Sequence, residues 1–126
     1  MNQHRTQQIT ELSSRIQVAL NDNNLLHQAL VHTSYANESK AGSVQSNQRL
    51  EFLGDAVLDL VIGEYLFRHF PQLPEGELTK ARARIVCEST LANCAAKLGL
   101  GNYLLLGKGE AATGGRQRVS ILADAF

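Results

Sequence analysis

The chain has 126 residues, 44% hydrophobic and 19% charged, and its Lys+Arg and Asp+Glu totals are equal at 12 each. That composition fits one ordinary globular domain with a modest core and excludes a disordered tail. A net charge of zero gives no sign of a strongly basic nucleic-acid binder, so any binding of that kind must come from the placement of charge rather than its total.

The first residues, Met1 to Ser14, are polar and lack the apolar stretch of a secretion signal. No apolar run approaches the ~20 residues that span a bilayer, so no membrane partner and a cytoplasmic location are expected. Thr6 to Leu20 reads as an amphipathic helix, with Ile9, Leu12, Ile16, Ala19 and Leu20 three or four apart. Asn21 to Asn24 is a turn and cap cluster. Leu25 to Val31 reads as a short helix running into His32-Thr33-Ser34-Tyr35, and Asn37 to Ser46 as a polar loop.

The longest element is expected from Asn47 to Phe70, stopped by Pro71 and Pro74. Pro74-Glu75-Gly76-Glu77 turns into a helix over Leu78 to Cys87. Glu88-Ser89-Thr90 breaks it, and a further helix runs to Leu98. Gly99-Leu100-Gly101 closes that helix with a glycine suited to a left-handed cap. Leu104 to Leu106 is a short buried run, Gly107 to Arg118 a glycine-rich basic loop, and Val119 to Phe126 the start of another helix. The fold class is therefore all-α. Cys87 and Cys94 do not form a CxxC pair, and they read as small helix residues facing the core of a protein in a reducing compartment.

Within the long helix, apolar residues from Leu50 to Phe67 point in nearly every direction, the pattern of a buried central helix. Charges there need a reason. Glu51, Asp55 and Asp59 step by four and so share one stripe, where like charges repel. A bound cation would reverse that repulsion, and oxygen-only ligands favour a hard ion such as Mg²⁺ or Mn²⁺. By spacing alone, a solvated acidic edge on a partly buried helix is the favoured reading, and Asp59 suits it best. Asp124, the lone acid of Ile121-Leu122-Ala123-Asp124-Ala125-Phe126, is either an early-turn charge on the helix dipole or a further ligand. Gly54 inside the helix costs about 1 kcal/mol relative to Ala, which suggests a close backbone approach as compensation.

Asn47-Gln48-Arg49-Leu50-Glu51-Phe52-Leu53-Gly54-Asp55-Ala56-Val57-Leu58 resembles the signature helix of the ribonuclease III family. His32-Thr33-Ser34-Tyr35, Phe70-Pro71, Glu75-Gly76-Glu77-Leu78-Thr79, Leu106-Gly107-Lys108-Gly109-Glu110, Gly114-Gly115 and Ile121-Leu122-Ala123-Asp124 follow in the family's order. The resemblance covers essentially the whole chain. It implies a helical endonuclease domain over residues 1–126 that cuts double-stranded RNA by metal-assisted hydrolysis, as in processing of ribosomal and messenger RNA. It implies Mg²⁺ as cofactor with Mn²⁺ as substitute, and a homodimer in which each subunit cuts one strand to leave 5′-phosphate and 3′-hydroxyl ends. Residue by residue, Glu51 and Asp124 match metal ligands. Asp55 matches a catalytic aspartate at the metal, and Phe52 an aromatic of the dimer interface. Glu75 matches an outer acidic position. For Phe52 a core role stays open, and for Glu75 a simple helix-start charge.

Lys108, Arg116 and Arg118 are the candidate RNA contacts, since the loop's backbone amides could also approach phosphate; solvated surface charge is the other reading. Lys80, Arg82 and Arg84 read as a solvated helix face. Two departures stand out. Gln48 replaces the family's usual glutamate one turn before Glu51. The family's further catalytic glutamate, three residues after the aspartate matched by Asp124, would fall just past Phe126, and no double-stranded-RNA-binding domain is present. A truncated nuclease domain is therefore expected, weakly active or inactive by itself. A catalytically incomplete RNA-binding or structural relative is the alternative.

Overall fold

Helix boundaries are set mostly by local chemistry. The computed structural model describes residues 1–40 and 42–126; of the loop expected over Asn37 to Ser46, Ala41 lies outside the described residues. Helix α1 is Gln3–Ile16. Asn2 starts it by accepting a hydrogen bond from the Arg5 amide at 2.8 Å, and Gln17, left-handed at φ 58°, ends it. It thus begins and ends earlier than its periodicity suggested. Asp22 caps α2 (Asn23–Ala29), and the His32 ring caps α3 (Thr33–Glu38) by accepting from the Ser34 amide.

Helix α4 (Gln48–His69) closely matches the expected long element. Helix α5 (Glu75–Ile85) starts directly after Pro74, and α6 (Glu88–Leu98) ends at Gly99 with φ 70°, the expected left-handed cap. The basic segment expected as loop contains a short helix, α7 (Lys108–Ala112), and a 3₁₀ turn at Gly115–Gln117. Helix α8 is Val119–Ala125. Among the described residues there is no strand, only an isolated parallel bridge between Val31 and Leu105. The all-α expectation holds. No helix is long and apolar enough to cross a membrane among the described residues.

The core is made by Ile9 and Leu12 of α1, Leu30, Ala92 and Ala95 of α6, the segment Leu100 to Leu106, and Ile121, Leu122 and Ala123 of α8. Alanines at 92 and 95 let α8 lie close against α6, its main packing partner. The Arg5 guanidinium lies buried under α1, where it donates to the Tyr103 carbonyl at 2.7 Å and to His27 Nδ1 at 3.0 Å. That joins α1 to α2 and to the central segment.

One sequence expectation fails here. Helix α4 is not buried inside the chain: Leu66 is its one buried residue among those described, and Phe52 is 82% exposed. The helix packs on α5 and touches α8, which leaves Leu53, Val57, Leu60, Val61 and Phe67 facing outward. A helix apolar on all sides needs cover, but a single protomer supplies it on only part of the circumference. The core reading of Phe52 is thereby excluded within the chain. The close approach expected at Gly54 is also absent, because a Cβ there would meet nothing within 4 Å among the described residues.

Candidate metal centre

The N-terminus of α4 is anchored before any acid appears on it. Asn47, buried, receives no side-chain cap; instead its backbone amide donates to the Val31 carbonyl at 2.8 Å and its Nδ2 to the Ala29 carbonyl at 3.0 Å. These bonds tie the helix to the end of α2 and set the direction in which Glu51, one turn on, projects. Sequence reasoning did not single out Asn47. Its signal was its place at the head of the acid-bearing helix.

Helix α8 brings the second half of the site. Ile121, Leu122 and Ala123 are buried, and Asp124 emerges at the surface beside α4. Glu51, Asp55 and Asp124 share the wall of one cavity of about 420 Å³, whose other walls are Leu50, Leu53, Val57, Leu58 and Leu91. A neighbouring cavity of about 520 Å³ is lined by Asp55, Asp59, Cys87, Glu88, Ser120 and Asp124. Asp55 and Asp124 therefore form a ridge between two hollows.

The Glu51 carboxyl is pushed above its ordinary value, first by burial, then by the negative charges of Asp124 and Asp55, and by a side-chain hydrogen bond to Asp124. Ionised carboxyls in that relation repel, and a bound cation would relieve the repulsion. Among the described residues, no three Asp, Glu, His or Cys side chains converge as a ready-made metal cage. All three expected ligands line one cavity, and of the two aspartates Asp124 acts on Glu51 more strongly than Asp55 does. A pair still fits the expected ion. Mg²⁺ keeps several waters and is commonly held by one or two carboxylates together with substrate phosphate.

Other expected residues fall elsewhere. Glu75 opens α5 and looks onto a separate groove with Asp59, Glu64, Thr79 and Arg82, so the chain by itself does not bring it to Glu51. Arg116 is turned inward onto the Gly101 and Leu104 carbonyls, at 3.1 and 2.7 Å. Arg118 pairs with Glu110 and donates to the Thr113 carbonyl at 2.9 Å. Lys108 remains exposed at the start of α7, where its backbone amide donates to Glu38. Lys80 pairs loosely with Glu77 on the face of α5, in line with a solvated helix.

Two further groups border the site. His32 is pushed below its ordinary value by burial, which the Asp124 charge opposes. Cys87 is not a core residue: it precedes α6, lies partly exposed, and lines the second cavity. Its thiol is brought down to about 7, chiefly by the hydroxyls of Ser89 and Thr90. The signal was Cys87-Glu88-Ser89-Thr90 at a helix start, which places hydroxyls around the sulfur.

Comparison with known proteins finds relatives along nearly the whole chain. The family model described as Ribonuclease-III-like matches residues 22–126. The chain is similar to Ribonuclease 3 of Enterococcus faecalis, 54% identical over 117 residues, covering 93% of this chain and 51% of that protein. It is 58% identical over 116 residues to Ribonuclease 3 of Natranaerobius thermophilus, covering 92% of this chain and 50% of the relative. The chain thus spans about half the length of the curated relatives it matches. Among solved structures, the nuclease domain of Ribonuclease III from Campylobacter jejuni superposes with a TM-score of 0.85 at 45% identity, over 93% of this chain and 78% of that one. That structure is described as showing flexibility in a region involved in dimer formation. From the fold, the paired acids and these relatives, the chain belongs to the ribonuclease-III-like family.

Proposed function

We propose that this chain is a nuclease domain that cuts double-stranded RNA with the help of Mg²⁺, for which Mn²⁺ can substitute. The observation that carries the proposal is that Glu51, Asp55 and Asp124, drawn from opposite parts of the chain, line one cavity. Glu51 and Asp124 would hold the metal, which when bound polarises the phosphate and lowers the pKa of water. Asp55, on the same wall but more exposed, is placed to orient a water and take its proton. The apolar walls of the cavity limit competing solvent around the carboxylates, which strengthens their hold on a cation.

The exposed apolar stripe of α4, headed by Phe52, supports a homodimer, because a stripe this continuous marks an interaction surface. In that assembly each protomer would cut one strand, leaving 5′-phosphate and 3′-hydroxyl ends. The substrate, duplex RNA of the kind processed from ribosomal and messenger transcripts, would be read mainly by shape across its minor groove. Of the three cations expected at RNA, Lys108 is the one whose side chain stays exposed and free of a structural bond among the described residues. Glu75 would serve as an outer acid, and the setting would be the cytoplasm.

The test is cleavage of a labelled RNA duplex in Mg²⁺ by the intact parent enzyme that carries this domain, as wild type, Glu51→Gln and Asp55→Asn. Both variants should lose cleavage while still binding the duplex. Full activity in Asp55→Asn would remove that residue from the mechanism, and cleavage in excess chelator would remove the metal.

A further inference from the structure

Helix α8 carries Asp124 but is poorly fixed by its own sequence. It has seven residues and no side-chain cap at its start. Its buried face, Ile121 to Ala123, is held by apolar contacts, which are non-directional. One residue of slip would turn Asp124 by about 100° away from its present direction.

The segment just before the helix is held by directional contacts. The Arg118 guanidinium forms an ion pair with Glu110 of α7 and donates to the Thr113 carbonyl at 2.9 Å, so one side chain spans the turn between α7 and α8. The pair is partly shielded, with side chains 40% and 23% exposed. Glu110 Oε1 is out of contact with solvent and makes no directed hydrogen bond among the described residues, so Arg118 supplies its countercharge. The turn is also tightly packed, since a Cβ on Gly115 would meet the Glu110 carbonyl at 2.7 Å.

We propose that Arg118 is a positioning residue: its ion pair with Glu110 fixes the start of α8 and so aims Asp124 at Glu51. The proposal rests on the reading of Glu51 and Asp124 as the metal pair. It also removes Arg118 from the expected RNA contacts, because its guanidinium is engaged inside the chain.

The test compares wild type, Arg118→Gln, and the reciprocal swap Glu110→Arg with Arg118→Glu. Three properties are measured: Mn²⁺ affinity by magnetic-resonance titration, binding of an RNA duplex in metal-free buffer, and hydrogen exchange of the 119–125 amides. Arg118→Gln should weaken Mn²⁺ binding by about 10-fold or more, as loss of a supporting contact does. It should speed exchange in α8 and leave duplex binding unchanged, and the swap should restore affinity and exchange. Weaker duplex binding with unchanged Mn²⁺ affinity would make Arg118 an RNA contact and overturn the proposal, as would a swap that restores nothing. If wild type binds no Mn²⁺, the metal reading fails separately, and unchanged α8 exchange in Arg118→Gln is then the result that overturns the positioning role. Should Arg118→Gln fail to fold, Arg118→Lys keeps the charge without the fork and carries the same measurements.

Discussion

Replacing Phe52 with alanine should separate the chain's internal stability from its association. The ring is 82% exposed in the protomer, so its removal should change unfolding of the monomer by no more than about 0.5 kcal/mol. In a two-fold dimer the same ring is buried twice, once from each subunit. Burying a phenylalanine is worth about 1.5–3 kcal/mol, so two copies contribute about 3–6 kcal/mol to association. That corresponds to a dimer dissociation constant raised roughly 10²- to 10⁴-fold. Sedimentation equilibrium over a wide concentration range measures the constant, and a melting curve at low concentration checks the monomer. A dissociation constant unchanged by Phe52→Ala would refute the interface. A large loss of stability in the isolated monomer would show instead that the ring packs within the chain.

Glu51→Gln should have opposite effects with and without metal: the metal-free chain keeps or gains stability, because the charged form of Glu51 is disfavoured, while stabilisation by Mn²⁺ disappears. Equal Mn²⁺ shifts in the melting of wild type and variant would refute the ligand role. His27 is held below its ordinary value by burial first and then by Arg5, whose Nε donates to its Nδ1. The unfolded chain therefore takes up this proton first, so stability is whole above that value and falls as pH drops through it toward the folded pKa. His27→Gln, which keeps an acceptor, should flatten that part of the slope in melts across this range; an unaltered slope would assign it to another group. Leu12→Ala, at a fully buried position, should cost about 2–5 kcal/mol, whereas Leu60→Ala should leave the monomer within about 0.5 kcal/mol. Similar losses at the two positions in denaturant titrations would contradict the assigned core.

The chain's own letters determine most of the local order. Asn2 and Asp22 cap helices, Gly99 ends one, and Pro74 precedes another, because these residues act through the backbone of their immediate neighbours. The acid stripe of α4 was legible for the same reason, since a four-residue step places side chains together on any helix. Burial was not legible. The apolar circumference of α4 signals that the helix needs cover, but periodicity cannot tell whether that cover comes from the same chain, and here the chain leaves most of it exposed. The basic segment likewise announced its charge without its use: only the folded turn shows Arg116 on carbonyls and Arg118 on Glu110. The pairing of Glu51 with Asp124 is a tertiary fact. Glu51 and Asp124 are remote in sequence, and packing of α8 against α6 brings them to one cavity, where burial first and the Asp124 charge second push the Glu51 carboxyl above its ordinary value.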